Sequence, residues 1–318
     1  MSAMSGPAIE ILGLTKDYAV GFWRKRMRRS LDNLTLQIEE GEVFGFLGPN
    51  GAGKTTTLKL LMGLIFPTAG KARIRGRSIE DVRMHRDIGF MPEQPYFYDY
   101  LTARELLDYY ARFSNFATAE RRGRVVKTLS RVGLSEAADL QLRKFSKGML
   151  QRVGIAQAIL HDPQVIFLDE PMSGLDPVGR LEVRDIILDL KKQGRTVFFS
   201  THILSDAEML CDRVGVLHLG KLQGVGAPEE IVSIEVVGME ILFEARALPA
   251  NLTGRATKIG KRYRIAVQEA ELYATLELLR GHEARILSVS PVRPTLEDYF
   301  MQLVRGQHSS EAAEVNPQ

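Results

Sequence analysis

The stretch Gly41-Glu-Val-Phe-Gly-Phe-Leu-Gly-Pro-Asn-Gly-Ala-Gly-Lys-Thr-Thr-Thr-Leu58 runs from an apolar segment through a glycine-rich loop into a helical pattern. Gly48 to Thr55 fits G-x-x-x-x-G-K-T at every fixed position, the P-loop pattern. Glycine lets the backbone curl until consecutive amide N–H groups point into one concavity, which attracts anions. A helix opening at Lys54 adds the positive end of its dipole. Gly48, Pro49, Asn50, Gly51, Ala52, Gly53 and Thr56 are therefore expected to cradle phosphates. Lys54 is expected to reach the outer phosphates, and the Thr55 hydroxyl to ligate Mg²⁺. The pattern predicts a site for a nucleoside triphosphate.

Two later runs have the matching form of an apolar strand that ends in polar groups. Val165-Ile-Phe-Leu-Asp169-Glu170 closes on two carboxylates. Downstream of a P-loop, the first acid is expected to hold Mg²⁺ and the second to orient and deprotonate the attacking water. Arg195-Thr-Val-Phe-Phe-Ser-Thr-His202 closes on a polar cluster. Strand C-termini are where an open α/β sheet presents its ligands, so His202 is placed to contact the terminal phosphate.

The remaining elements follow from periodicity. Ala8–Leu14 and Leu31–Ile38 read as strands, and Val43–Leu47 feeds the P-loop. Thr55–Leu64 is its helix, and Lys71–Arg75 and the start of Ile88–Gln94 are further strands. Thr102 and Glu105 form a capping-box pair at a helix start. Helices over Arg121–Val132 and from Ser146 to Leu160 follow, and another spans Leu175–Lys192. Val214–Leu219 and Lys221–Val225 form a hairpin about Gly220. The basic run Arg24-Lys-Arg-Met-Arg-Arg29 reads as a solvated loop, with a patch against anionic lipid headgroups as the lesser alternative.

Composition bounds the class. Hydrophobic residues make up 45% and charged residues 25%, as in a globular chain. A net charge of +3 gives no argument for nucleic acid. The single cysteine, Cys211, rules out a disulfide framework and fits a reducing compartment. No signal peptide is expected at Met1–Glu10, and no apolar run reaches the ~18 residues a membrane span needs.

Together these motifs resemble the ATP-binding subunit of an ABC transporter over about residues 8 to 230. The resemblance implies a P-loop NTPase fold, a RecA-like α/β core with an antiparallel β subdomain and a helical subdomain at about 95–160. It assigns Gln94 to the Q-loop as a catalytic and metal-contacting residue. Ser173-Gly-Leu-Asp176 matches the D-loop, and His202 the switch histidine. The adenine-stacking aromatic matches Tyr18 best, with Phe22 and Trp23 as rivals. The signature loop, usually L-S-G-G-Q, stands here as Phe145-Ser-Lys-Gly-Met149. Ser146 and Gly148 match, and the family touches the γ-phosphate of the opposite subunit's ATP with them; Lys147 and Met149 depart. By resemblance, two such subunits sandwich two ATP molecules and drive integral membrane permease subunits from the cytoplasmic face of the membrane, with no nucleic acid involved. The Tyr96-Phe-Tyr-Asp-Tyr100 run is either a permease-docking surface or a local core.

After Pro228 the pattern changes. Strands over Met239–Ala245, Arg262–Val267 and Ala284–Val289 and a helix over Glu269–Arg280 predict a small α+β domain at 236–305. Thr295–Val304 reads as a capped helix whose P-T-L-E-D-Y-F start resembles the C-terminus of drug- and polymer-export ATPases. A stabilising or dimerising appendage is preferred there over a ligand sensor. Residues 306–318 are expected to be disordered. The competing readings are a soluble ABC-type ATPase acting on ribosomes or DNA, which one cassette without a heptad run disfavours, and a regulatory module without catalysis, which intact Lys54, Asp169, Glu170 and His202 disfavour.

Overall fold

The computed structural model describes residues 6–21, 26–114, 116–231, 238–245, 248–292 and 296–298. The chain divides into two compact units, Met1–Pro228 and Glu229–Gln318.

The first unit carries two sheets. Its central sheet holds β3 (Val43–Leu47), β6 (Ile88–Met91), β7 (Val165–Asp169), β8 (Thr196–Thr201), β9 (Arg213–His218) and β10 (Lys221–Gly226) in the order β10-β9-β3-β8-β7-β6. Pairing is parallel from β9 through β6, and β10 folds back antiparallel on β9. Every residue of β3, β7 and β8 is buried. Parallel strands covered on both faces need such unbroken apolar runs. Alternate residues serve different cores. Val165 and Phe167 pack with Phe44, Phe46 and Phe198, whereas Ile166 and Leu168 pack with Val197 and Phe199. Phe198 sits at the centre of the first group, its ring 5.3 to 5.7 Å from those of Phe44, Phe46 and Phe167.

The second sheet is antiparallel, in the order β2-β1-β4-β5, and comprises β1 (Ile9–Val20), β2 (Arg26–Ile38), β4 (Ala69–Ile74) and β5 (Arg77–Ser78). Both β1 and β2 extend well past the expected boundaries. Arg26, Arg28 and Arg29 were expected in a solvated loop but are strand residues, because β1 continues to Val20 and offers each a cross-strand partner. Phe22, Trp23, Arg24 and Lys25 lie outside the described residues.

Helices α1 (Lys54–Leu61), α2 (Ala103–Ala111), α3 (Thr118–Arg131), α4 (Lys147–Ile159), α5 (Pro177–Lys192), α6 (Leu204–Leu210) and α7 (Pro228–Ile231) complete the described connections. The capping box of α2 is present: Thr102 Oγ1 accepts from the Glu105 amide at 3.1 Å, and the Glu105 carboxylate accepts from the Thr102 amide at 2.9 Å. α5 starts two residues later than expected, because Asp176 caps it through the Gly179 amide at 2.9 Å and Pro177 takes the first helical position.

The second unit is one antiparallel sheet, β12-β13-β11-β14, with helix α8 (Leu272–Gly281). β11 is Gly238–Glu244, β12 Thr257–Ile259, β13 Arg262–Val267 and β14 Arg285–Val292. β12 was not anticipated, having only three residues, all exposed. Ile241, Phe243, Leu252, Ile265, Val267 and Leu279 form its core. Of the expected terminal helix, residues 296–298 are described and helical; the stretch 299–304 and the tail 306–318 lie outside the described residues.

Candidate nucleotide site

Strand order builds the site. β8 lies between β3 and β7, so three strand ends meet at one edge of the sheet. The register pairs Leu47 with Thr201 and Asp169 with Ser200. The P-loop, the two carboxylates and the His202 segment therefore leave the sheet side by side.

The loop conformation depends on glycine at two points. Gly53 sits at φ 113°, where a Cβ would come within 2.5 Å of the Ser30 carbonyl. A Cβ at Gly48 would collide with the carbonyl of Leu217. The Lys54 side chain curls back over the loop and donates to the Gly48 carbonyl at 2.7 Å. Its ammonium also lies 3.2 Å from Glu170 Oε1, with both side chains buried. The other oxygen, Glu170 Oε2, pairs with His202 Nδ1 at 2.7 Å. One carboxylate thus bridges a buried cation and a half-exposed imidazole.

Glu170 itself has φ +51°, unusual for a residue other than glycine. Its amide is held by the Ser200 carbonyl at 3.2 Å and Ser200 Oγ at 3.1 Å, and Gln151 Nε2 donates to its carbonyl at 3.4 Å. Ser200 Oγ donates to Asp169 Oδ1 at 2.5 Å, and Thr55 Oγ1 donates to Asp169 Oδ2 at 3.0 Å. Ser200 and Gln151 escaped the sequence reading. Ser200 carried a faint signal, a hydroxyl inside an otherwise apolar run; Gln151 carried none, because only the packing of α4 brings it beneath Glu170.

A cleft of about 1000 Å³ opens from this edge, lined by P-loop residues, Glu170, Tyr18 and the far ends of β1 and β2. Tyr18 stands at its rim with Lys16 Nζ 5.2 Å from its ring centroid. Gln94 is exposed on the loop after β6, where the lining residue is its neighbour Glu93. Ser146 and Gly148 do not line this cleft. They open α4, where Ser146 Oγ accepts from the Met149 amide at 3.3 Å, and Ser146 is exposed. Lys147 passes close over Gly174 of the D-loop.

Behind the switch segment, Asp206 is 4% exposed and its Oδ2 has no hydrogen-bond partner among the described residues. Burial pushes its carboxyl above the usual range, and the nearby Arg180 only partly opposes this.

Residues 31–173 match the family profile described as ABC transporter. An ABC transporter ATP-binding protein of Synechocystis sp. is 42% identical over 308 residues, covering 93% of this chain and 84% of that protein. The chain belongs to this family. The bacitracin transport ATP-binding protein of Bacillus licheniformis is also 42% identical, over 94% of this chain and 97% of its own length. Among solved structures, an ATP-binding cassette in a dimeric post-hydrolysis state bound to ADP and Pi aligns with TM-score 0.63 and 28% identity, over 69% of this chain and 98% of that one. The first unit is accordingly an ABC ATPase cassette, and the chain is an ATP-binding subunit of a transporter. Among the described residues no helix is long and apolar enough to cross a membrane.

Proposed function

We propose that this chain hydrolyses ATP in the cleft above the P-loop and delivers the resulting motion to separate membrane permease subunits, in the direction of export. The observation that carries the chemistry is the placement of Glu170, between Lys54 and His202 at the strand end beside the P-loop.

Amides from Asn50 to Thr56 and the N-terminus of α1 bind the phosphates. Lys54, now held by Glu170 and the Gly48 carbonyl, turns to the outer phosphates and releases Glu170. Freed of that ion pair, the Glu170 carboxylate takes a proton from a water lined up with the terminal phosphorus. His202 holds that carboxylate and reaches the terminal phosphate, and Gln94 swings in from its loop to complete the site. The adjacent Thr55 hydroxyl and Asp169 carboxylate are hard oxygen donors, which suits Mg²⁺; Gln94 is a further ligand. When bound, the ion neutralises charge developing on the phosphate oxygens. Tyr18 stacks on the adenine.

Ser146 and Gly148 are absent from the lining of their own cleft, which supports a head-to-tail pair of subunits with each signature loop closing the other's ATP. The exposed Tyr96, Tyr98 and Tyr100 suit a permease contact at the cytoplasmic face of the membrane. The S-K-G-M signature and the P-T-L-E-D-Y-F segment support the export branch.

Phosphate release from the purified chain tests the chemistry. Saturable, Mg²⁺-dependent release is expected, abolished by Asp169→Asn; release that persists in excess EDTA sinks the assignment. Affinity capture from detergent-solubilised host membranes tests the coupling. A polytopic membrane protein at about equal stoichiometry is expected, and its absence overturns the transporter role.

A further inference from the structure

Arg28 and Arg29 of the basic run have no part in the chemistry above, yet the fold carries them to the nucleotide cleft. β1 and β2 pair antiparallel, from Ile9 opposite Ile38 to Val20 opposite Arg26. Tyr18, Gly21, Arg28, Arg29 and Ser30 all line the cleft.

Among the described residues three cations line this cleft, and two are already neutralised. Lys54 is paired with Glu170 at 3.2 Å. Arg29 is paired with Asp17 and Asp32, each at 2.9 Å, and these partners raise its already high pKa. Arg28 has no acidic partner among the described residues.

Its place along the strand is set by register. Arg28 lies directly opposite Tyr18, and directly opposed residues of an antiparallel pair share a face. Ser30, two residues further along β2 at the irregularity between the Lys16 and Asp17 pairings, lines the same cleft. Its hydroxyl is 2.9 Å from Thr56 Oγ1 in the first turn of the P-loop helix. Arg28 therefore stands between the ring that would carry the base and the helix end that would carry the innermost phosphate.

We propose that Arg28 is a nucleotide-binding residue that grips the α-phosphate from the β2 side of the cleft. This rests on the ATP site proposed above. A guanidinium suits the position: it offers several donors in one plane and stays charged at all working pH. The contact is one that ADP and ATP share equally, so Arg28 sets nucleotide affinity and leaves the hydrolytic step alone.

Calorimetric titration of the full chain with ATP and ADP, and competition by adenosine, tests this. For Arg28→Gln both nucleotides should bind about 5-fold more weakly, with adenosine unchanged and the thermal midpoint unmoved. Arg28→Lys should recover part of the loss. Met27→Gln serves as a control, since Met27 is exposed and absent from the cleft lining. Three results overturn the assignment: unchanged nucleotide affinity in Arg28→Gln, a loss confined to ATP, or an equal loss for adenosine. Failure of the underlying site looks different: there the wild-type chain binds no ATP, or binds it with no dependence on Lys54.

Discussion

The two units use β-strands in opposite ways. In the cassette, β3, β7 and β8 are buried along their whole length and turn polar only as they leave the sheet. In the second unit β11 mixes buried and half-buried residues, and β14 is exposed along most of its length. A strand buried on both faces holds its end rigidly, so the side chains just past it can be placed to within a hydrogen bond. Both units also contain a non-glycine residue at positive φ. Glu283, at φ 55°, follows the end of α8, where such a conformation is a common helix terminator. Glu170, at φ 51°, follows a strand and is held by Ser200 and Gln151. The same backbone geometry closes a helix in one place and aims a carboxylate in the other.

The strongest test of that contrast is Glu170→Gln. Turnover should fall roughly 1000-fold, the range of a lost general base, while calorimetry finds ATP binding retained. Hydrolysis at the wild-type rate would remove Glu170 from the mechanism. Next in size, Phe243→Ala empties the centre of the second unit's core, where Phe243 is fully buried and stacked on Tyr263 with centroids 5.6 Å apart. The cost should be about 3–5 kcal/mol, read as an earlier calorimetric transition, with ATPase turnover within about twofold of wild type. A matching collapse of turnover would break the separation of roles. The smallest effect belongs to Asp206→Asn. Burial raises the carboxyl's pKa in the folded state, so between the unfolded and folded values the native state holds the extra proton and stability declines as pH rises. Above that window the deficit is fully present, and the amide, which cannot ionise, avoids it. Asp206→Asn should therefore raise the melting temperature by about 2 °C at pH 7.5, with the gain gone near pH 3. A lower melting temperature at pH 7.5 would show that the carboxylate is stabilised by its surroundings.

Local signals carried most of the cassette. A loop that needs glycine at Gly48 and Gly53, apolar runs that end in acids, and a threonine three residues before a glutamate are statements about neighbours in the chain. The structure has the P-loop backbone, the buried strands and the α2 capping box where those signals put them. Arg26, Arg28 and Arg29 of the basic run were misjudged for the complementary reason. A polar, charged run has no strand signature of its own; Arg28 is in a strand because Tyr18 lies across from it.

By itself the sequence determined which residues could do chemistry: the P-loop set, Asp169, Glu170 and His202, each marked by a local pattern that physical chemistry restricts to few uses. Only the tertiary structure decided what they meet. Insertion of β8 between β3 and β7 brings Ser200 onto Asp169 and His202 onto Glu170, more than thirty positions apart in each case. Packing of α4 sets Gln151 under Glu170, and pairing of β1 with β2 brings Arg28 and Arg29 to the cleft. Hydrogen bonds and burial act through space over a few ångströms, and a linear pattern carries no record of which distant strands will lie that close.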